Sequence, residues 1–199
     1  MEYPVPVILA SSSPRRLQLL SALGMAVDVV PAAINETARV GETPDRLVRR
    51  LAATKAITVA ARSPDSVVIG ADTVVALGRK IVGKPENAEQ ARVMLTTLSG
   101  KRHQVYTGVA VYRETSQRGW VTVEVAEMAF RELDLADIDA YVATGEPFDK
   151  AGGYGIQGSA GNWVDSFTGN LETVIGLPTD AVQRLLERSL RLLSEVGRG

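Results

Sequence analysis

The stretch DSVVIGADTVVAL, residues 65–77, has the composition of a buried strand. Valine and isoleucine fill its centre, which is too apolar for a strand at a solvent-exposed edge. Asp72 interrupts this apolar run with a carboxylate. A strand end or a turn in solvent would explain a lone aspartate, whereas a buried carboxylate needs a partner or a bound cation. The residues of this stretch alone leave both interpretations open.

Strands and helices alternate on the N-terminal side of this stretch. Residues 4–10, PVPVILA, predict a short buried strand, and residues 26–30, AVDVV, predict another. Ser13 followed by Pro14 is typical of a helix N-terminus, and Gly24 is a suitable end for that helix.

A second helix is predicted to begin at Thr43, again with a proline next, and it extends through TPDRLVRRLAATKAITVAAR. Its apolar residues recur with helical spacing. Lys55 follows Leu51 by four residues, so it lies on or beside the apolar stripe. A lysine at such a place either extends to solvent or points into a site.

Antiparallel structure is predicted on the C-terminal side. Residues 102–113 and 120–133 read as two long strands of a hairpin. The remaining elements are a helix capped by Asn87, a short helix near residues 136–145, a glycine-dense segment at 149–163 and a final helix at about 180–196. The alternating first part and antiparallel second part together predict a mixed α/β fold, which we assign to a single domain over residues 1–199.

Composition excludes several classes of protein. The 199 residues include no cysteine and one histidine, so disulfides, thiolate catalysis and zinc–sulfur sites are excluded. A net charge of −1 argues against a protein that coats a nucleic acid polymer. The first residues lack a basic leader, and their apolar run is too short for a membrane span. We therefore expect a cytoplasmic protein without a membrane partner.

Charged side chains in apolar surroundings are the best candidates for a site. His103 stands in a strand pattern without any nucleophile motif, so we interpret it as structural. Metal binding is left to oxygen ligands, which suit Mg²⁺ or Mn²⁺. Asp72, Lys84, Lys55 and Glu36 are all charges in unexpected places. Each is weak evidence alone, and together they indicate one site.

The stretch SSSPRR, residues 11–16, adds a candidate anion site. A helix N-terminus attracts anions through its free N–H groups, and the serine hydroxyls add donors. Arg15 and Arg16 lie in the first helical turn, where a positive charge is unfavourable unless an anion is bound nearby. The alternative is a capping serine followed by two solvated arginines.

The glycine-rich stretch AGGYGIQG, residues 151–158, matches neither of the common nucleotide-binding fingerprints. Its glycines allow a ligand to approach the backbone closely. Gln157 offers both a donor and an acceptor, as reading the edge of a base requires. A flexible loop without a ligand is the alternative.

Four motifs taken together resemble the Maf family of nucleoside triphosphate pyrophosphatases. They are LASSSPRRLQLL, GADTVV, VGKP and DKAGGYGIQG, which occur in the family's order between residues 9 and 178. KAGGYGIQG is similar to the branch that acts on dTTP and UTP. The resemblance implies a two-lobed, mixed-sheet α/β fold like that of inosine triphosphate pyrophosphatases, with a substrate cleft between the lobes. It also implies metal-dependent hydrolysis between the α- and β-phosphates.

The resemblance also assigns roles to residues. Asp72 matches the family's proton acceptor and, with Glu36, is expected to hold Mg²⁺ or Mn²⁺. The residues matched to substrate choice are Arg15, Thr73 and Gln157. Those matched to the phosphate and metal site are Ser11, Ser13, Arg16, Glu36, Lys55, Lys84 and Lys150. NLETVIGLP departs from the family's usual NVVGLP, since Thr173 stands where asparagine is common.

Two alternatives remain open at this stage. The substrate could be a modified pyrimidine nucleotide, in a role of clearing the nucleotide pool. The family's association with septum formation also permits a nucleotide-binding regulator that needs no catalysis, although such a binder has no use for an in-line carboxylate. A homodimer fits the family, but the sequence offers no exposed apolar stripe as its interface.

Overall fold

The structure, a computed structural model, describes residues 3–196, the last five of them as backbone only. Strands and helices are both well represented in this range. The strands are β1 Val7–Leu9, β2 Asp28–Val29, β3 Val67–Leu77, β4 Lys80–Val82, β5 Arg102–Arg113, β6 Arg118–Phe130 and β7 Val164–Thr168. The α-helices are α1 Pro14–Ala22, α2 Pro44–Ala60, α3 Ala88–Leu98, α4 Leu135–Ala143, α5 Leu171–Ile175 and α6 Thr179–Val196. Short 3₁₀ segments occupy Glu146–Asp149, Ala151–Gly153 and Ser159–Trp163.

The seven strands form one mixed sheet. Their order is β2-β1-β3-β5-β6-β7, and β4 pairs with β3 beside this path. β1 is parallel to both β2 and β3, whereas β4 and β7 are antiparallel to their partners. The mixed α/β fold predicted from the sequence is therefore confirmed.

The chain divides into two compact units. Unit 1 contains residues 1–72, 107–124 and 176–199, and unit 2 contains residues 73–106 and 125–175. Each unit has a hydrophobic core of its own. The predicted assignment to a single domain stays a prediction.

Unit 1 is a three-layer arrangement. In β1 and β3 the side chains alternate between the two faces of the sheet. Leu9 and Ile69 join the core that also contains Leu20 of α1 and Leu186 of α6. Val68, on the opposite face, joins the core built with the alanines and valine of α2. Helices thus cover both faces of the buried strands, as expected for strands that are apolar throughout.

Unit 2 has an aromatic core. Phe130, Tyr141, Tyr154 and Trp163 are each at most 5% exposed. Their rings meet edge to face, for example Tyr141 on Trp163 with ring centroids 4.9 Å apart. Such contacts contribute geometric specificity beyond the burial of apolar area. The ring of Tyr154 therefore anchors the glycine-rich segment in this aromatic core.

Helix α2 lies unusually close to β3. A Cβ atom built on Gly70 would lie 2.2 Å from the Ala52 carbonyl oxygen. No side chain fits in that space, so the glycine is what lets the helix backbone rest directly on the strand. This contact sets the position of α2, which carries Lys55.

Most predicted element boundaries agree with the structure. Of the three predicted N-cap residues, one makes a capping hydrogen bond and two do not. Asn87 accepts a hydrogen bond from the Gln90 N–H, as predicted for an N-cap. Ser13 and Thr43 occupy the N-cap positions of α1 and α2, but their side chains make no capping hydrogen bond. The edge strand β7 has no counterpart among the predictions, because VDSFT lacks a continuous apolar pattern.

Replacing Gly70 by alanine should destabilise the protein by about 1–3 kcal/mol, because the new methyl group meets the backbone of α2. Urea denaturation measures this loss. Gly83→Ala is the matched control, since nothing lies within 4 Å of its Cβ position, and its effect should stay within about 0.5 kcal/mol. Equal stability of the two variants would contradict the close packing of α2 on β3.

Candidate functional site

A buried ion pair joins the strand β3 to the helix α2. Lys55 Nζ lies 2.7 Å from Asp72 Oδ1, and both side chains are 9% exposed. Asp72 follows Val68 and Gly70 at two-residue intervals, so it lies on the face of β3 that α2 covers. The sequence left two interpretations open for each residue, and in this geometry both charges are buried and paired with one another.

A second carboxylate reaches the same ammonium group. Glu36 Oε1 lies 2.6 Å from Lys55 Nζ, and the Glu36 side chain is 47% exposed. Glu36 belongs to a segment without regular secondary structure between β2 and α2. One buried cation thus brings together two carboxylates from distant parts of the chain.

Arg16 contributes a second cation beside these carboxylates. Its Nη1 donates to Ser11 Oγ at 3.0 Å and to the Ala71 carbonyl at 2.9 Å, and its Nε donates to the Gly176 carbonyl at 2.8 Å. Loss of hydration lowers the pKa of Arg16, while the charges of Asp72 and Glu36 act in the opposite direction. In this structure the guanidinium connects the start of α1 with β3 and with the residue after α5.

Of the three serines in the SSSPRR stretch, Ser11 is the buried one. Its Oγ accepts hydrogen bonds from Arg16 and from the backbone N–H of Ser13, 3.2 Å away. The Ser13 side chain is half-buried, as is that of Arg15. The structure therefore brings Ser11, Arg16, Glu36, Lys55 and Asp72 together within unit 1, and we call these five residues the charge cluster.

A bidentate ion pair fixes the segment that carries Glu36. Arg50 of α2 donates from Nε and Nη2 to the two oxygens of Glu42, each at 2.7 Å. Arg50 also donates to the Thr37 carbonyl at 3.1 Å, and Glu42 accepts the Arg39 N–H at 2.9 Å. Fork-like pairs of this kind are directional. Sequence reasoning missed this pair, because an acid before a helix and an arginine inside it look like ordinary surface residues.

The other predicted residues lie in unit 2, where two of the motifs meet. The Gly152 N–H donates to the Gly83 carbonyl at 2.8 Å, so the VGKP stretch and the glycine-rich segment are adjacent. Gly152 and Gly153 have φ angles of 72° and 71°, which favour glycine at both positions. Lys84, next to Gly83, is exposed, and Thr73 in β3 is half-buried.

Lys150 makes its contacts within the glycine-rich segment and the residues just before it. Its Nζ lies 2.6 Å from the Glu146 carbonyl and 2.6 Å from Asp149 Oδ1, and its side chain is 15% exposed. A Cβ atom on Gly155 would lie 2.6 Å from Lys150 Cε. The aliphatic part of Lys150 therefore lies against the Gly155 backbone.

Gln157 occupies the tip of a tight turn. The Gly158 N–H donates to the Gly155 carbonyl at 3.1 Å, which makes Gln157 the third residue of a hydrogen-bonded β-turn. Its side chain is exposed. The amide is therefore available to a ligand at the surface of unit 2.

His103 is structural, as the sequence predicted. It is fully buried, and its Nε2 lies 2.9 Å from the Tyr154 hydroxyl. Burial lowers the pKa of His103, so the ring is neutral at pH 7. Thr173, at the departure from the family's usual asparagine, is fully buried in α5.

The charge cluster offers two carboxylates to a metal ion. Among the described residues, no three His, Asp or Glu side chains come close enough together to hold a metal. Glu36 and Asp72 nevertheless converge on one cation, the Lys55 ammonium. One or two carboxylates, with water and substrate phosphates completing the shell, is the usual set for Mg²⁺. The residues present therefore fit a hard divalent cation.

Within residues 3–196, no helix combines the length and the apolar character that crossing a bilayer requires.

Fold and side chains together define a mixed α/β protein with a partly buried cluster of two carboxylates and two cations. The family model described as Maf-like protein matches residues 6–189. The chain belongs to this family, and the resemblance noted in the sequence is confirmed.

Relatives of known name cover nearly the whole chain. A protein of Anaeromyxobacter dehalogenans named dTTP/UTP pyrophosphatase is 49% identical over 92% of this chain and 93% of its own length. A protein of the same name from Aquifex aeolicus is 45% identical, with coverages of 94% and 97%. Among solved structures, the Ham1 protein of Staphylococcus aureus covers 63% of this chain and 71% of its own, at 14% identity and a TM-score of 0.46.

The Arg50–Glu42 pair predicts how stability depends on pH. The hydrogen bonds from Arg50 lower the pKa of Glu42 to about 2 from its ordinary 4.5. The carboxylate therefore contributes its full stabilisation above about pH 4.5, and the contribution disappears as the pH falls through about 2. Glu42→Gln should lower the free energy of unfolding at pH 7 by about 1 kcal/mol, since solvent screens a pair near the surface.

Urea denaturation of the wild type and of Glu42→Gln between pH 7 and pH 2 measures this effect. The difference between the two proteins should shrink as the solution is acidified. Glu132→Gln removes an exposed carboxylate and serves as the control, with the same pH profile as the wild type. A constant difference across the whole range would show that Glu42 does not titrate as proposed.

Proposed function

We propose that this chain hydrolyses dTTP and UTP at the α–β phosphoanhydride, giving the nucleoside monophosphate and pyrophosphate. The charge cluster is the observation that carries the proposal. It places the expected base, Asp72, in a fixed contact with Lys55 at 2.7 Å. The proposal is supported by relatives with this name that are 45–49% identical over more than nine-tenths of the chain.

Asp72 is the group that we assign to the attacking water. The oxygen of this water attacks the α-phosphorus, the bond from that phosphorus to the α–β bridging oxygen breaks, and pyrophosphate leaves with the electron pair. Asp72 orients the water and accepts its proton. The hydrogen bond from Lys55 to Oδ1 fixes the carboxylate plane, so the carboxylate needs little reorganisation during the reaction.

Glu36 and Asp72 are the residues that would hold Mg²⁺ or Mn²⁺. A divalent cation bound there would neutralise phosphate charge and make a bound water more acidic. Lys55 lies between the two carboxylates and keeps their charges compensated. We also assign the Lys55 ammonium to a phosphate oxygen, while it keeps its contact with Asp72.

The remaining cationic residues are assigned to the phosphates. Arg15 and Arg16 lie at the N-terminus of α1, where backbone N–H groups also favour an anion. We assign Lys84 and Lys150, next to the Gly83–Gly152 hydrogen bond, to the phosphate chain as well. Thr73 and Gln157 are assigned to substrate choice, with Gln157 donating to the 4-carbonyl oxygen of uracil or thymine. Cytosine has an amino group there, so CTP is disfavoured.

We extend the proposal to modified pyrimidine nucleotides, because an amide that reads only the 4-position tolerates changes elsewhere on the ring. We propose with it a role in clearing such nucleotides and a link to cell division, with or without dependence on catalysis. Hydrolysis of methylated uridine triphosphates at rates near that of UTP would support the extension, and strict rejection of them would oppose it.

Asp72→Asn should keep the fold and reduce kcat for UTP by roughly 10²–10⁴-fold, because the amide cannot accept the proton of the water. Pyrophosphate release measures the rate, and circular dichroism checks the fold. Asp65→Asn, in the exposed turn before β3, is the control and should behave as the wild type. A rate within about threefold of the wild type for Asp72→Asn would be incompatible with the assigned role.

Chelation should abolish pyrophosphate release, and added Mg²⁺ or Mn²⁺ should restore it. Glu36→Gln should raise the Mn²⁺ concentration that gives half-maximal rate by roughly tenfold or more, because one charged ligand is lost. Direct Mn²⁺ binding, followed by electron paramagnetic resonance with UTP present, gives a readout independent of turnover. Undiminished activity in excess chelator would refute the metal dependence.

A further inference from the structure

The exposed amide of Gln157 belongs to a turn whose first residue is hydrogen bonded to a tyrosine. The Gly155 N–H donates to the Tyr141 hydroxyl oxygen at 3.0 Å. Gly155 is the first residue of the turn, and its carbonyl accepts the Gly158 N–H. Both polar groups of the Gly155 backbone are therefore engaged, and the turn begins from a fixed point.

The tyrosine is itself fixed by two kinds of contact. Its side chain is buried in α4, and its ring packs edge to face on Trp163. The negative charge of the Glu146 carboxylate acts on its hydroxyl. Burial, with the nearby negative charge of Glu146, raises the pKa of Tyr141 to about 12, so the phenol stays protonated at neutral pH. Its oxygen can then accept the hydrogen bond from the Gly155 N–H.

Glu146 also lies against the other end of the turn. A Cβ atom on Gly158 would lie 2.3 Å from Glu146 Oε2, so the carboxylate lies directly against the Gly158 backbone. The two residues that bracket Ile156 and Gln157 are thus each in contact with one member of the Tyr141–Glu146 pair. This pair defines where the turn can lie.

The residue before the turn has an independent anchor. The Tyr154 hydroxyl lies 2.9 Å from His103 Nε2 and 3.4 Å from the sulfur of Met128, and the Tyr154 ring packs on Phe130. This anchor fixes how the chain enters the turn, but it makes no contact with the turn's own polar groups. The Tyr141 hydroxyl, in contrast, accepts a hydrogen bond from the turn itself.

We propose that Tyr141 is a positioning residue for nucleobase selection, which acts on Gln157 through the N–H of Gly155. The inference depends on the proposed function, since it presupposes that Gln157 distinguishes pyrimidines. A hydrogen bond to the edge of a base discriminates only when the donor is already in place. Removing the phenol oxygen leaves the Gly155 N–H without its acceptor and lets the turn move. The discrimination at Gln157 then weakens.

The test is the ratio of kcat/KM for UTP to that for CTP in Tyr141→Phe. The ring and its packing on Trp163 are kept, and we expect the ratio to fall by roughly tenfold. Glu146→Ala, which removes the carboxylate that lies against the Gly158 backbone, should lower the ratio in the same direction and covers the case in which Tyr141→Phe folds poorly. Tyr112→Phe is the control, because it removes a tyrosine hydroxyl of β5 that contacts Gln117 in the β5–β6 turn.

Amide hydrogen exchange at Gly155 supplies a readout that is independent of turnover. Exchange should be protected in the wild type and in Tyr112→Phe, and it should accelerate by about tenfold or more in Tyr141→Phe. Faster exchange together with a lower ratio supports the inference. Equal losses for UTP and CTP, with the ratio unchanged, would reduce Tyr141 to a structural role and overturn the inference while the proposed function stands. A wild type that does not prefer UTP over CTP would instead refute the proposed specificity.

Discussion

The buried contact between Lys55 and Asp72 is the interaction on which the charge cluster depends. Removing two charges from water is costly, and only close pairing with further hydrogen bonds offsets that cost. The distance of 2.7 Å is reached because α2 rests on the backbone of β3 at Gly70, two residues before Asp72 on the same face. A larger residue at that position would move the helix outwards, and the pair would separate. The close packing of α2 on β3 therefore also determines the electrostatics of the site.

The charge cluster is balanced, and this has a consequence for substrate binding. Lys55 and Arg16 bring two positive charges, and Asp72 and Glu36 bring two negative ones. A polyphosphate gains little net attraction from a cluster whose own charges cancel. Within unit 1, additional positive charge could come from Arg15 or from a bound divalent cation. The proposed divalent cation is such a source, because carboxylate oxygens are among the ligands that Mg²⁺ takes in proteins.

The sequence predicted the elements and the members of the charge cluster better than it predicted their connections. The alternation of residues in β3 and the apolar stripe of α2 were sufficient to single out Asp72 and Lys55 as candidate site residues. Each of them is a charge on an apolar face. Glu36 could not be placed by any periodicity, because it lies in an irregular segment. Arg50 and Glu42 form a specific pair across eight residues, and no local rule distinguishes such a pair from solvated charges. Tyr141 was hidden for a related reason, since its helical position indicates burial but not the destination of its hydroxyl.

The two units fix a polar side chain in different ways. In unit 1 the Asp72 side chain is buried, and the opposite charge of Lys55 holds it in the middle of β3. In unit 2 the Gln157 side chain is exposed at the tip of a turn, where nothing restrains the amide itself, so only its backbone can be prepared in advance. Each rotamer-rich side chain that becomes ordered on binding costs about 0.5–1.5 kcal/mol. A mobile turn would add a backbone cost to this, which the hydrogen bond from Gly155 to Tyr141 removes before any ligand arrives. In the proposed mechanism, selectivity therefore depends on Tyr141 beneath the turn as much as on Gln157 at its tip.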